Sequence, residues 1–175
     1  MNVPLSKNKK GFTLVEMVLY VAFFALLSVL AIQATITVMK AFYTLRISQS
    51  LTESATTAME RMSREIRNAY DVDSANSTFA TSTGRLTVRT KDDIGALSTT
   101  EFFLDGQNKL NLKLGGVDQG TLVTKTVSVS SLVFNLITNA NTKAVKIEMT
   151  ISDSRSLPVK SVKFYDTIML RGTVH

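Results

Sequence analysis

One apolar segment near the N-terminus constrains the fold of this chain more than any other feature. From Phe12 to Ile32 there are 21 residues, and only Thr13, Glu16 and Ser28 fall outside the hydrophobic set. As a helix, this segment is long enough to cross a hydrocarbon core of about 30 Å. No lysine or arginine occurs from residue 12 to residue 39. We therefore expect a membrane-spanning helix over 12–39.

The net charge of +6 is concentrated before this segment. Lys7, Lys9 and Lys10 supply three of the positive charges, and without residues 1–11 the balance is 17 basic against 14 acidic residues. That balance is ordinary, so nucleic acid is a partner that the charge allows but does not indicate. Basic residues before an apolar segment predict a cytoplasmic N-terminus. The chain would then cross the cytoplasmic (inner) membrane once, with its C-terminal part outside the cytoplasm.

Three kinds of processing are compatible with a basic start followed by an apolar segment. A secretory signal peptide would be cut after the small-residue sequence Val29-Leu30-Ala31, leaving a secreted domain that begins at Ile32. A signal anchor would stay uncut. The third alternative is cleavage before the apolar segment, between Gly11 and Phe12, on the cytoplasmic side.

Glu16 favours the third alternative. It is the one residue of the apolar segment that is charged at neutral pH, and a carboxylate at a helix centre in a membrane costs about 2.5–3.5 kcal/mol. A cut after Gly11 would make Glu16 the fifth residue of the new chain. A neighbouring copy could then offer its new α-amine to this carboxylate, and the helix dipole favours an anion in the first turns.

The residues around this bond form a recognisable motif. Basic residues precede a glycine, a phenylalanine follows it, and a glutamate stands five residues into an apolar segment: Lys9-Lys10-Gly11-Phe12-Thr13-Leu14-Val15-Glu16-Met17. This motif resembles the processing motif of type IV pilins and type II secretion pseudopilins. The resemblance implies that a prepilin peptidase removes leader 1–11 and that the Phe12 amine is methylated. It also implies assembly, through Glu16 and the apolar helices, into a filament with other pilins or pseudopilins.

The helix is predicted to continue beyond the membrane over residues 40–70, which contain no proline or glycine. Apolar residues recur three or four apart and predict one packing face for a sheet: Leu45, Leu51, Ala55, Ala58, Met62, Ile66 and Ala69. Glu60 and Arg64 have the i,i+4 spacing of a helical ion pair. Arg61, Arg64 and Arg67 could contact phosphates or acidic partners, although a solvated face is the simpler interpretation.

Residues 71–175 are predicted to form a variable connector and a β-sheet head. In 71–100, eleven of thirty residues are Ser or Thr, which indicates a loose connection with one or two short strands. Alternating apolar residues then predict strands over 109–114 and 145–151. A turn at Asp105-Gly106-Gln107-Asn108 would pair 102–104 with 109–114, and a bulge is expected at Ser130-Ser131. Further strands are predicted over 127–136 and 162–170.

These elements predict an α+β fold, with a long N-terminal helix packed on an antiparallel sheet of five to seven strands. The stem sequence 51–62, the hairpin at Leu104-Asp105-Gly106 and the strands 129–136 and 145–151 resemble J-type minor pseudopilins and W-type minor pilins. The resemblance implies a structural subunit that initiates or caps a filament. The alternatives are a DNA-uptake or adhesive minor pilin that binds a ligand through its head, and a secreted domain behind an ordinary signal peptide.

The sequence does not predict an enzyme. Its one histidine is His175, the last residue, and it has no cysteine, so a histidine- or thiol-based catalytic site is not expected. No phosphate-loop or dinucleotide glycine pattern is present. Asp92, Asp93 and Asp118 could join a calcium site, but no dense Asp/Asn loop supplies the six to eight oxygen ligands that calcium takes. We therefore expect no cofactor and no metal.

Overall fold

A computed structural model describes residues 11–91, 94–139, 142–153, 155 and 159–171. One helix, α1 (Leu14–Asn68), is followed by antiparallel strands, which confirms the predicted α+β class. A short 3-10 turn covers Ser74–Asn76. The strands are β1 (Asp71–Val72), β2 (Leu86–Lys91), β3 (Leu97–Leu104), β4 (Leu110–Leu114), β5 (Val117–Thr121), β6 (Val127–Asn139), β7 (Thr142–Asp153) and β8 (Lys160–Met169). The chain divides into an N-terminal unit up to Tyr43 and a C-terminal unit from Thr44 onwards.

The N-terminal unit consists of the apolar part of α1. Its large apolar side chains are between 47% exposed, at Ile36, and 81% exposed, at Leu14. By length and composition, this helix could cross a membrane. Its surface therefore has the apolar character that lipid or another apolar helix would cover.

In the C-terminal unit, α1 buries one stripe of side chains against the sheets. The predicted stripe is confirmed from Leu51 to Ala69. The prediction that Leu45 belongs to the stripe is wrong, because Leu45 is 58% exposed. Ile47 takes this place and is 2% exposed. The reason is angular: each helical residue turns by about 100°, so Leu45 lies about 120° from Leu51, whereas Ile47 is one turn before it.

The strands form two sheets rather than the single sheet of five to seven strands that was predicted. The first sheet has the order β1-β2-β3-β4-β5 and the second β6-β7-β8, with eight strands among the described residues. The two sheets and α1 share one hydrophobic core. Chain segment 78–85 connects them, because Ala80 N–H donates to Phe134 O at 2.9 Å and Gly84 N–H donates to Leu132 O at 2.7 Å.

The connector 71–100 is more ordered than predicted. It contains β1, β2 and the start of β3, and Leu86 and Val88 of β2 are fully buried. The predicted hairpin is confirmed, with Leu104 opposite Leu110. The predicted bulge is also confirmed, because the β6–β7 register shifts between Val129 and Ser131.

The predicted ion pair between Glu60 and Arg64 is wrong. The i,i+4 pair in this part of α1 joins Arg61 Nε to Glu65 Oε1 at 3.0 Å. Arg61 and Glu65 are each partly covered, with side chains 34% and 18% exposed, whereas Glu60 and Arg64 are exposed. Exposed side chains stay hydrated, so the same spacing gives little gain from pairing.

Candidate functional site

The candidate site is the first turn of α1, where the chain enters the helix. Thr13 precedes the first helical residue and acts as its N-cap: Glu16 N–H donates to Thr13 Oγ1 at 3.2 Å, and Met17 N–H donates to Thr13 O at 3.2 Å. The sequence Thr13-Leu14-Val15-Glu16 has the spacing of a capping box. The helix therefore begins just after the Gly11–Phe12 bond because Thr13, a residue of the motif, caps its first turn.

Glu16 projects its carboxylate along the helix towards a tyrosine one turn later. Tyr20 Oη donates to Glu16 Oε1 at 3.4 Å. The Phe12 ring lies edge-on to the Tyr20 ring, with centroids 6.3 Å apart and planes at 76°. Tyr20 thus contacts Phe12 and Glu16, two residues of the motif. Sequence reasoning missed it, although the i,i+4 spacing from Glu16 was the available signal.

The bond between Gly11 and Phe12 lies outside the helix and is exposed. Phe12 is 71% exposed, and a Cβ added at Gly11 would meet no atom within 4 Å. Nothing in the fold of the described residues therefore requires glycine at position 11. A glycine requirement at this position would have to come from an interaction with another molecule.

In the C-terminal unit, charged residues connect the two sheets. Asp71 of β1 lies 2.5 Å, measured from Oδ1, from Lys143 Nζ of β7, and its Oδ2 lies 3.9 Å from Arg89 Nη1 of β2. The hydrogen bond from Lys143 lowers the pKa of the Asp71 carboxyl, against the opposing effect of burial. Asp71 therefore has a basic partner in each sheet, and the cluster is explained by its role in joining the two sheets.

Among the leader lysines, aspartates and histidine that sequence reasoning singled out, the structure describes Asp118 but not the others. Lys7, Lys9, Lys10, Asp92, Asp93 and His175 lie outside the described residues. Asp118 lies in β5, where its Oδ1 accepts a hydrogen bond from Gly120 N–H at 2.7 Å. Within the described ranges, no three His, Cys, Asp or Glu side chains are grouped so that they could hold a metal ion.

No protein-family model, no curated protein and no solved structure matches this chain. Its description therefore rests on its own residues: one long apolar helix with a capped, glutamate-bearing first turn, and a C-terminal unit of antiparallel sheets on the same helix.

Proposed function

We propose that this chain is a structural subunit of a type IV pilus-like or type II secretion-like filament, of the minor, tip-located kind. A prepilin peptidase would remove residues 1–11, and the Phe12 amine would be methylated. The observation that carries the proposal is Glu16: it is the one charged residue from Gly11 to Met39 and stands in the first turn of an otherwise apolar helix.

The physical argument concerns what would cover the N-terminal unit. Its apolar side chains are exposed throughout, so lipid of the cytoplasmic membrane would cover them before assembly and neighbouring helices afterwards. A carboxylate inside such a bundle is costly unless a positive charge meets it. Cleavage after Gly11 creates such a charge, the α-amine of Phe12, which a neighbouring subunit could offer to this carboxylate.

The geometry around Glu16 leaves capacity for that partner. The Tyr20 hydroxyl donates to Oε1 over a long 3.4 Å, and a carboxylate can accept about four hydrogen bonds. The proposal assigns no catalytic residue to this chain. It assigns the C-terminal unit to the outside of the cytoplasm, since basic residues precede the helix.

The deciding experiment is the intact mass and N-terminal sequence of the protein purified from its own cells. We expect a chain that begins at Phe12, with one methyl group on its amine. A chain that begins at Met1 would overturn the proposal. A chain that begins at Ile32 would also overturn it and would support the secreted domain behind an ordinary signal peptide.

Two glycine substitutions separate peptidase recognition from folding. Gly11→Val is expected to block processing, while Gly106→Val, in the β3–β4 turn, leaves it unchanged. The two variants are matched, because an added Cβ meets no atom within 4 Å at either position. If both variants are processed at Phe12 as fast as wild type, the assignment of Gly11 to the cleavage site is wrong.

A further inference from the structure

The C-terminal unit carries a groove that the proposed function does not use. It has a volume of about 680 Å³ and lies between α1 and the last strand. Arg64 and Arg67 line the helix side, Phe164 and Asp166 line the strand side, and Arg171 follows the end of β8. On this side β8 has no neighbour among the described strands, since the order of the sheet is β6-β7-β8.

Three arginines of the groove have no acidic partner among the residues that the structure describes. Arg64, Arg67 and Arg171 make no ion pair within 4 Å with any described residue, whereas the neighbouring Arg61 is paired with Glu65. Each guanidinium therefore keeps its five N–H donors for a ligand. Arginine is suited to this role, because its planar fork binds a carboxylate with two parallel hydrogen bonds.

The acidic residues of the groove do not neutralise these arginines. Both carboxylate oxygens of Asp166 accept from neutral donors: Ser63 Oγ at 2.6 Å and Thr167 N–H at 2.8 Å. Glu60 is exposed on the other wall. Three arginines thus face two carboxylates, and the excess charge is positive.

Apolar side chains line the groove between its charged residues. They favour a peptide over a nucleic acid as the ligand. Met59 is 9% exposed and Tyr165 59% exposed, and Phe164 is half-buried. A nucleic-acid strand carries a phosphate on every nucleotide, so Glu60 and Asp166 would repel it more strongly than a peptide in which every second residue is uncharged. A peptide that alternates acidic and apolar residues matches both kinds of wall.

We propose that this groove binds an extended acidic peptide segment of a partner protein, with its carboxylates on Arg64, Arg67 and Arg171. Arg64 and Arg67 are three residues apart on one helix face, with Cβ atoms about 5–6 Å apart. Alternate side chains of an extended peptide are about 6.6–6.8 Å apart on one side. Two successive acidic side chains therefore reach the two helix arginines together. The proposal does not depend on the processing or assembly of the N-terminal unit.

The test titrates a fluorescein-labelled peptide of alternating glutamate and valine onto the full chain in neutral detergent micelles, followed by fluorescence anisotropy. We expect binding with a Kd below about 1 mM. The double variant R64Q/R67Q should weaken binding at least about tenfold, since two charge-assisted hydrogen-bond pairs are lost. R61Q is the matched control and should stay within about twofold, because Arg61 is paired outside the groove.

Three outcomes would overturn the proposal. The first is no peptide binding beyond that of empty micelles. The second is equal weakening by R61Q and by R64Q/R67Q, which would indicate a general effect of charge. The third is tighter binding of a single-stranded oligonucleotide through Arg64 and Arg67, which would support nucleic acid as the ligand. The arginines are exposed, so the variants should fold, and far-UV circular dichroism checks this.

Discussion

Ser63 Oγ on α1 donates a 2.6 Å hydrogen bond to Asp166 Oδ2 on β8, across 103 residues of sequence. Asp166 stands between Phe164 and Ile168 on the alternating face of β8 that turns towards the core. An acidic side chain at such a position needs a polar partner, since a buried polar group without one is costly. The helix supplies that partner through Ser63.

Removing this hydrogen bond should destabilise the C-terminal unit. Ser63→Ala is expected to lower its free energy of unfolding by about 1–2 kcal/mol, because Asp166 Oδ2 loses its donor. The measurement is urea denaturation of the detergent-solubilised full chain, followed by far-UV circular dichroism. Thr57→Ala, at an exposed position of the same helix, is the control and should change the value by less than about 0.5 kcal/mol. Equal values for both variants would contradict the role of Ser63.

The pair Asp153–Arg155 should make stability depend on acidic pH. Asp153 is fully buried, and its Oδ2 lies 2.5 Å from Arg155 Nη2. The hydrogen bonds from Arg155 lower the pKa of Asp153, burial opposes this, and the charge of Lys109 adds to the lowering. A folded-state pKa below the unfolded value of about 3.9 stabilises the fold above that pH, and this contribution is lost as the pH falls through the folded value.

The check is to compare wild type with Asp153→Asn at several pH values. At pH 7 the variant should be less stable by about 1.5–3 kcal/mol, the cost of losing hydrogen bonds to a charged group. As the pH falls below about 4 and through the lowered folded-state pKa, the two curves should converge, because wild-type Asp153 also loses its charge. Asp118→Asn removes an exposed carboxylate that makes no ion pair with a described residue, and should change stability by less than about 0.5 kcal/mol. If the stability difference between wild type and Asp153→Asn did not change with pH, Asp153 would not be the source of the pH dependence.

Gly84 is required where segment 78–85 crosses β6. A Cβ at this position would lie 2.8 Å from Leu132 O and 3.0 Å from Phe134 Cδ2. Since the first contact is with backbone, Gly84→Ala should cost about 1–3 kcal/mol of stability. Gly106→Ala adds the same methyl group in open space and should be nearly neutral. Hydrogen exchange at the β6 amides is the local measurement, and unchanged protection in Gly84→Ala would contradict the close approach.

Glu16 should be needed for assembly and not for membrane insertion. Glu16→Ala and Glu16→Gln are expected to remain in the membrane fraction and to be processed after Gly11. Their recovery in sheared filaments should fall at least about tenfold, since loss of one charge-assisted hydrogen bond costs about 1.5–3 kcal/mol. Ser28→Ala is the control, because Ser28 Oγ bonds to Phe24 O of its own helix. Wild-type recovery of both Glu16 variants would remove this residue from the mechanism.

Local patterns made much of the fold predictable. The apolar run, the three-or-four spacing from Leu51 to Ala69 and the alternation in β7 each reflect residues within one turn or one strand. The N-cap at Thr13 is local in the same way, since its hydroxyl accepts from Glu16 N–H three residues later. Two predictions were wrong for physical reasons. Leu45 is apolar like the buried stripe, but it lies at a different angle around the helix. Glu60 and Arg64 have the spacing of a helical ion pair, but Arg61 and Glu65 form that pair instead.

The sequence by itself determined the long helix, the strands β4, β6, β7 and β8, and which carboxylate stands inside the apolar segment, because backbone geometry repeats every 3.6 or two residues. The tertiary structure alone decided that the strands divide into two sheets, that Ser63 meets Asp166, and that Arg171 joins Arg64 and Arg67 around one groove. Those pairings join residues far apart in the chain. They depend on which elements pack together in the core, and the spacing of residues within one helix or strand does not predict that packing.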